Sequence, residues 1–261
     1  MINFKKIKLV LIILLLISAM ILFNFIFHKG INSRFERHYY SDANIENSII
    51  ISKYNNLVSS NSSLDEILKF VDENIKTSNK YEANELIYDL IKSSSNNIDI
   101  DLSSLNKYND YISNDMKSFL SLVIDAQKNP IISNNSISLN LEELLVKSES
   151  IEKHIKNFPK SKTKDDSFKL YCTYMGTAIT GYYDSEEFND SNIYLNDTGV
   201  RLDVRAVNIY KKFSQNNNSK TADIIKKYLS ILRNSKWRTD TNAVQDFYKY
   251  RYELFRSELN I

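Results

Sequence analysis

From residue 45 to the end of the chain, apolar residues recur every three or four positions, the spacing of helices that bury one face. The first stripe is Ile45, Ile49, Ile50, Tyr54, Leu57 and Val58. The second opens at Ser63 with Glu66 three residues on, a capping-box pairing, and carries Leu64, Ile67, Leu68, Val71 and Ile75. Ser78 to Lys80 separates it from a third, Ala83 to Ile91. The longest is predicted over 103–127 and stops at Asn129-Pro130, because proline disfavours helical geometry in the residue before it. Leu141 to Phe158 follows and ends at Pro159. The next stripe, Phe168 to Ile179, has Asp165 and Asp166 where a helix start favours negative charge. Val200 to Phe213, Ile224 to Leu232 and Val244 to Phe255 complete the series. The pattern predicts an all-α fold, an irregular bundle or array of about eight helices.

The N-terminus departs from this pattern. Leu9 to Phe27 is apolar throughout except Ser18 and Asn24, and Lys5, Lys6 and Lys8 precede it. As a helix this stretch would be about 28 Å long, close to the ~30 Å hydrocarbon core of a bilayer. We expect an uncleaved signal-anchor over 1–28, a tether over 29–43 and an all-helical domain over 44–261, with any internal division near 159–165. A cleaved signal peptide is the competing reading. Ala19 suits a cut, but Ile17 is a poor partner for it and the apolar run continues to Phe27. Basic residues flank both sides, so charge barely orients the segment. From its terminal position and the long domain after it, we expect the N-terminus in the cytoplasm and the main domain outside.

Composition narrows the chemistry. Only 4 glycines occur, so no G-x-G-x-x-G, Walker A or G-x-S-x-G motif can be written, and neither Asn-Gly nor Asp-Gly is present to turn a hairpin. The single cysteine, Cys172, excludes an internal disulfide and a cysteine-built zinc site. His28, His38 and His154 show no metal-ligand spacing, so no metal or cofactor is expected. Ser150-x-x-Lys153 and Ser161-x-x-Lys164 match one penicillin-binding pattern, but its companion motifs are missing. Setting aside Lys5, Lys6, Lys8 and Lys29 turns the net charge of +2 slightly negative, and the remaining charges are interspersed. Nucleic acid is therefore not an expected partner. The Asn, Lys, Ile and Tyr bias points to an AT-rich genome, as in a low-GC bacterium.

Local rules break around residues 176–205. Gly176, Gly181 and Gly199 flank an acidic, Asn-rich loop. The bland account is close packing at Gly176 and helix termination at Gly181. The sharper one is a binding surface of Tyr182, Tyr183, Glu186, Glu187, Tyr194, Arg201 and Arg205, with the two arginines on one helix face as anion donors. Lys236-Trp237-Arg238 and the aromatic-basic segment 247–256 form a second candidate contact for an anionic polymer or lipid headgroup. Its plainer reading is a core stripe with Lys249, Arg251 and Arg256 pointing away from the core.

No catalytic constellation is legible. The expectation is a membrane-anchored extracytoplasmic helical protein that acts by binding or assembly. It would meet the lipid bilayer through residues 9–27 and a protein or cell-wall polymer through its domain. A cell-envelope hydrolase with paired carboxylates and the sensing subunit of a membrane complex are the alternatives.

Overall fold

The computed structural model describes residues 48–60, 62–94, 100–133, 136–181, 194–196 and 199–261. The apolar run 9–27, the tether and Tyr182, Tyr183, Glu186 and Glu187 lie outside these residues. No helix among the described residues is long and apolar enough to cross a membrane.

The described chain is mostly helical. It runs α1 (Ile49–Ser59), α2 (Leu64–Asn74), α3 (Lys80–Ser94), a 3-10 helix (Leu102–Tyr108) and α4 (Asn114–Lys128). A two-residue antiparallel pair follows, β1 (Ile132–Ser133) with β2 (Ser136–Ile137). Then come α5 (Leu141–Asn157), α6 (Lys164–Thr180), α7 (Val204–Asn216), α8 (Lys220–Asn234), α9 (Asn242–Lys249) and α10 (Arg251–Leu259). Local chemistry sets many of the starts. Ser63 with Glu66 forms the predicted capping box, and Asn140 with Glu143 forms a second one at α5. Gly181 ends α6 in the left-handed conformation at φ 71°, as its position suggested.

Within the compact unit Asn44–Ile261 the apolar faces gather into two clusters. The first draws on α1 to α4 and includes Tyr54, Val71, Leu86, Leu105 and Leu120. The second draws on α5 to α10 and is centred on Tyr171, Tyr210, Tyr228 and Phe255. Helix α6 runs through this second core. From Tyr174 to Gly181 every residue is buried, so the helix has no solvent face there. The Thr177 and Thr180 hydroxyls satisfy themselves on the Thr173 and Gly176 carbonyls, both at 2.9 Å.

Three helix expectations are corrected. The single helix over 103–127 is instead a 3-10 helix and α4, parted at 109–113. Asn84 of α3 accepts the Ser113 N–H at 2.9 Å and donates to its hydroxyl at 2.8 Å, holding a turn that residue spacing alone does not encode. The stripe from Val200 begins as extended chain, and α7 starts at Val204 with Asp203 as its cap. The last stripe is divided at Tyr250 into α9 and α10. That break turns Arg251 inward. It is buried, donates to the Tyr248 carbonyl and stacks 4.3 Å from the Tyr252 ring, contrary to the expectation that it points away from the core.

Candidate functional site

The predicted surface around Arg201 is organised by a small β ribbon, which helical spacing did not announce. Asn196 N donates to Arg201 O at 2.8 Å and Asp203 N to Tyr194 O at 2.7 Å, so Leu195 faces Leu202 in antiparallel register. Gly199, at φ 68°, supplies the left-handed residue where the chain returns, and its N–H donates to Asn196 O at 2.8 Å. On the other side Leu202 N donates to Trp237 O at 3.1 Å and Thr239 N to Val200 O at 2.9 Å. These two bonds flank the pair Arg201 and Arg238 without joining them. In an antiparallel ladder that is the narrow pair, with Cα atoms roughly 4.5 Å apart and side chains at their closest.

Alternation decides which face each residue takes. Leu202 and Thr239 are buried and Trp237 is half-buried, so they take the inner face. Arg201 and Arg238 are both exposed on the outer one. Arg201 is therefore outside α7, and the idea that it shares a helix face with Arg205 is corrected. Its carbonyl, the Leu202 amide and the Val200 carbonyl are taken by the ribbon, which holds it extended. Arg205 lies within α7 and pairs with Asp203 at 3.2 Å. Tyr194 is buried in the second core, and burial pushes its phenol pKa up.

Arg238 is aimed by an unusual helix end. Lys236 N donates to Arg233 O and Trp237 N to Leu232 O, the paired bonds of a Schellman motif closing α8. Glycine usually occupies its left-handed position. Here Lys236 takes φ 52°, and Trp237 follows at φ 63°. Two consecutive bulky L-residues in this region carry a cost of order 1–3 kcal/mol each. Lys211 of α7 sits 5.3 Å from the Trp237 ring centre. Arg238 is bound to Asp240, Nε to Oδ1 at 2.9 Å. Arg201 makes no ion pair among the described residues.

A second constellation, invisible in the sequence, lies where α4, α5 and the start of α6 meet, with His154, Ser161 and Thr163 buried and Ser113, Asp115 and Ser118 half-buried. Ser113 and Ser161 both donate to Asp115, the latter at 2.7 Å. Thr163 Oγ1 lies 2.9 Å from Ser161 Oγ and 3.0 Å from His154 Nε2, and Ser118 Oγ lies 2.9 Å from His154 Nδ1. A carboxylate only accepts, so proton direction propagates outward from Asp115. Ser161 donates to Asp115, Thr163 to Ser161, and His154 through Nε2–H to Thr163. Nδ1 is left to accept from Ser118. Burial opposes ionisation of Asp115, but the Ser113 and Ser161 hydroxyls and local backbone N–H groups outweigh it and hold its pKa below the usual carboxylate value. Burial lowers the His154 pKa, only partly offset by Asp115, and favours the neutral ring. Ser161, one of the two S-x-x-K serines, belongs to this chain; the other, Ser150, bonds the Val146 carbonyl at 3.0 Å.

The remaining reactive groups are committed to packing. Burial pushes the Cys172 thiol pKa up to about 12, which keeps it protonated. Asp166 accepts from Tyr88 at 2.5 Å and Lys92 at 3.0 Å. No three His, Cys, Asp or Glu side chains converge as metal ligands among the described residues. Compared with known protein families, curated proteins and solved structures, the chain matches none.

Proposed function

We propose that this chain is a membrane-tethered, extracytoplasmic helical module that works by binding or assembly, with the ribbon around Arg201 as its contact face. The apolar run Leu9 to Phe27 supports the tether, and the long domain after it supports export. The observation that carries the binding reading is the Arg201–Arg238 pair. Two like charges directly opposite each other destabilise a ribbon, yet here they share an exposed face beside two left-handed residues. Such local rule-breaking marks the places where function is sought. Two carboxylates, one buried and one half-buried, support the same reading. Glu152 and Asp166 are occupied by donors from other parts of the fold, which suits a structural use better than acid–base work.

Two experiments test it. Protease added to intact cells should remove the domain from a membrane-fractionated chain; recovery in the cytosol, or full protection, refutes the tether. Affinity capture with the full chain should recover a protein or cell-wall polymer that a folded Arg201→Ala/Arg238→Ala variant loses. Equal recovery by both makes the ribbon merely structural.

A further inference from the structure

We infer that Arg201 and Arg238 together hold a phosphate-type oxyanion; this rests on the reading of the ribbon as a binding face. The backbone pairing sets both residues in the narrow antiparallel position and on the same exposed side. Their stems start about 4.5 Å apart, so two planar forks can close on one tetrahedral group from adjacent edges. The charge balance is uneven. Asp240 engages Arg238 through both Nε and Nη2, at 2.9 and 2.5 Å, whereas Arg201 has no ion-pair partner among the described residues. An oxyanion bridging the pair would relieve the cross-strand repulsion and give Arg201 a counter-charge. Lys236 adds a further exposed cation beside Arg238 on the turn.

A planar carboxylate is met by one guanidinium fork. A phosphate group offers more acceptor oxygens and greater negative charge, which suits two forks and a neighbouring ammonium. The α7 N-terminus is capped by Asp203, whose carboxylate accepts the Arg205 N–H at 2.7 Å, so the site is built from side chains and not from a helix end.

Trp237 is the only tryptophan in the chain and adjoins Arg238, so its fluorescence reports on this ribbon alone. The full chain in phosphatidylcholine nanodiscs is titrated with inorganic phosphate at constant ionic strength. A saturable change in Trp237 emission is expected, with no such change for chloride. Arg201→Ala should weaken binding at least about tenfold, and Arg201→Lys, which keeps the charge without the fork, should fall between. Nanodiscs containing phosphatidylglycerol separate the sources. An emission already shifted there, and unresponsive to added phosphate, assigns the site to lipid headgroups. A retained phosphate response assigns it to free or polymer-borne phosphate. No saturable response in either disc, or an Arg201→Ala variant that responds like wild type, overturns the inference. Partner capture that depends on Arg201 and Arg238 without any phosphate response also overturns it, while leaving the binding reading intact.

Discussion

Glu152 Oε2 accepts both the backbone N–H and the hydroxyl of Thr221, each at 2.7 Å, across 69 residues of chain. Its Oε1 accepts the Lys220 N–H at 2.8 Å. A carboxylate of α5 thus closes the N-terminus of α8, where unpaired N–H groups and the helix dipole favour negative charge. Glu152 and Thr221 are both buried, so water cannot replace either partner. Glu152→Ala should destabilise residues 44–261 by about 3 kcal/mol in urea unfolding, because buried donors lose a charged acceptor. Glu152→Gln should cost less, since its amide carbonyl still accepts. A loss below about 1 kcal/mol for the alanine variant would show that the cap contributes little.

His154 makes stability pH-dependent with a determined sign. Its folded pKa lies below the ordinary value of 6.5. Between those two values the unfolded chain binds more protons, so stability is fully present above about pH 6.5 and is lost as pH falls toward the folded pKa. Asp115, held below 3.8, and Asp166, also lowered, add their own losses only at more acidic pH. Urea midpoints measured from neutral pH downward should fall first in the histidine range. His154→Gln, which still donates and accepts, should flatten that first limb while keeping the acidic one. An unchanged limb in this variant would place its origin elsewhere.

Two backbone substitutions should stabilise. Lys236→Gly removes a side chain from a φ of 52° and should contribute about 1 kcal/mol. Gly176→Ala should contribute a similar amount through helix propensity. A Cβ there would meet the Tyr252 hydroxyl at 3.5 Å and Arg251 Nε at 3.7 Å, both ordinary contacts, so close packing does not demand glycine. A lowered urea midpoint in either variant would contradict the corresponding argument.

Tyr88 of α3 and Asp166 of α6 tie the first core to the second. Burial raises the Asp166 pKa, but the bonds from Tyr88 and Lys92 outweigh that and leave it lowered. Lys162 reinforces the joint with its ammonium 4.3 Å from the Tyr88 ring centre and an ion pair to Glu85. Tyr88→Phe should cost about 1–2 kcal/mol, since the ring stays while a hydrogen bond to a charged acceptor is lost. Hydrogen exchange should show α3 and the start of α6 opening more readily together. Protection unchanged in both would mean that the packing alone joins the cores.

Helix identity was legible in the sequence because a buried stripe needs only local spacing. Ser63–Glu66, Pro159 and Gly181 announced their boundaries through neighbours within four residues. The candidate region 176–205 was also marked locally, by its glycines and clustered tyrosines. What the spacing could not carry were contacts set by distant chain. Asn84 parts the predicted long helix at Ser113. The His154 chain assembles residues 113, 115, 118, 154, 161 and 163, each unremarkable alone. Arg201 read as helical because Val200, Val204 and Val207 keep helical spacing. Ribbon hydrogen bonds to distant chain hold it extended: Asn196 N–H donates to its carbonyl, and the Leu202–Trp237 and Thr239–Val200 bonds set it opposite Arg238. Local periodicity determines which segments coil and which faces seek burial. Pairings between residues far apart in the chain depend on loop closure and on what the packed cores leave within reach, so the tertiary structure alone decided them.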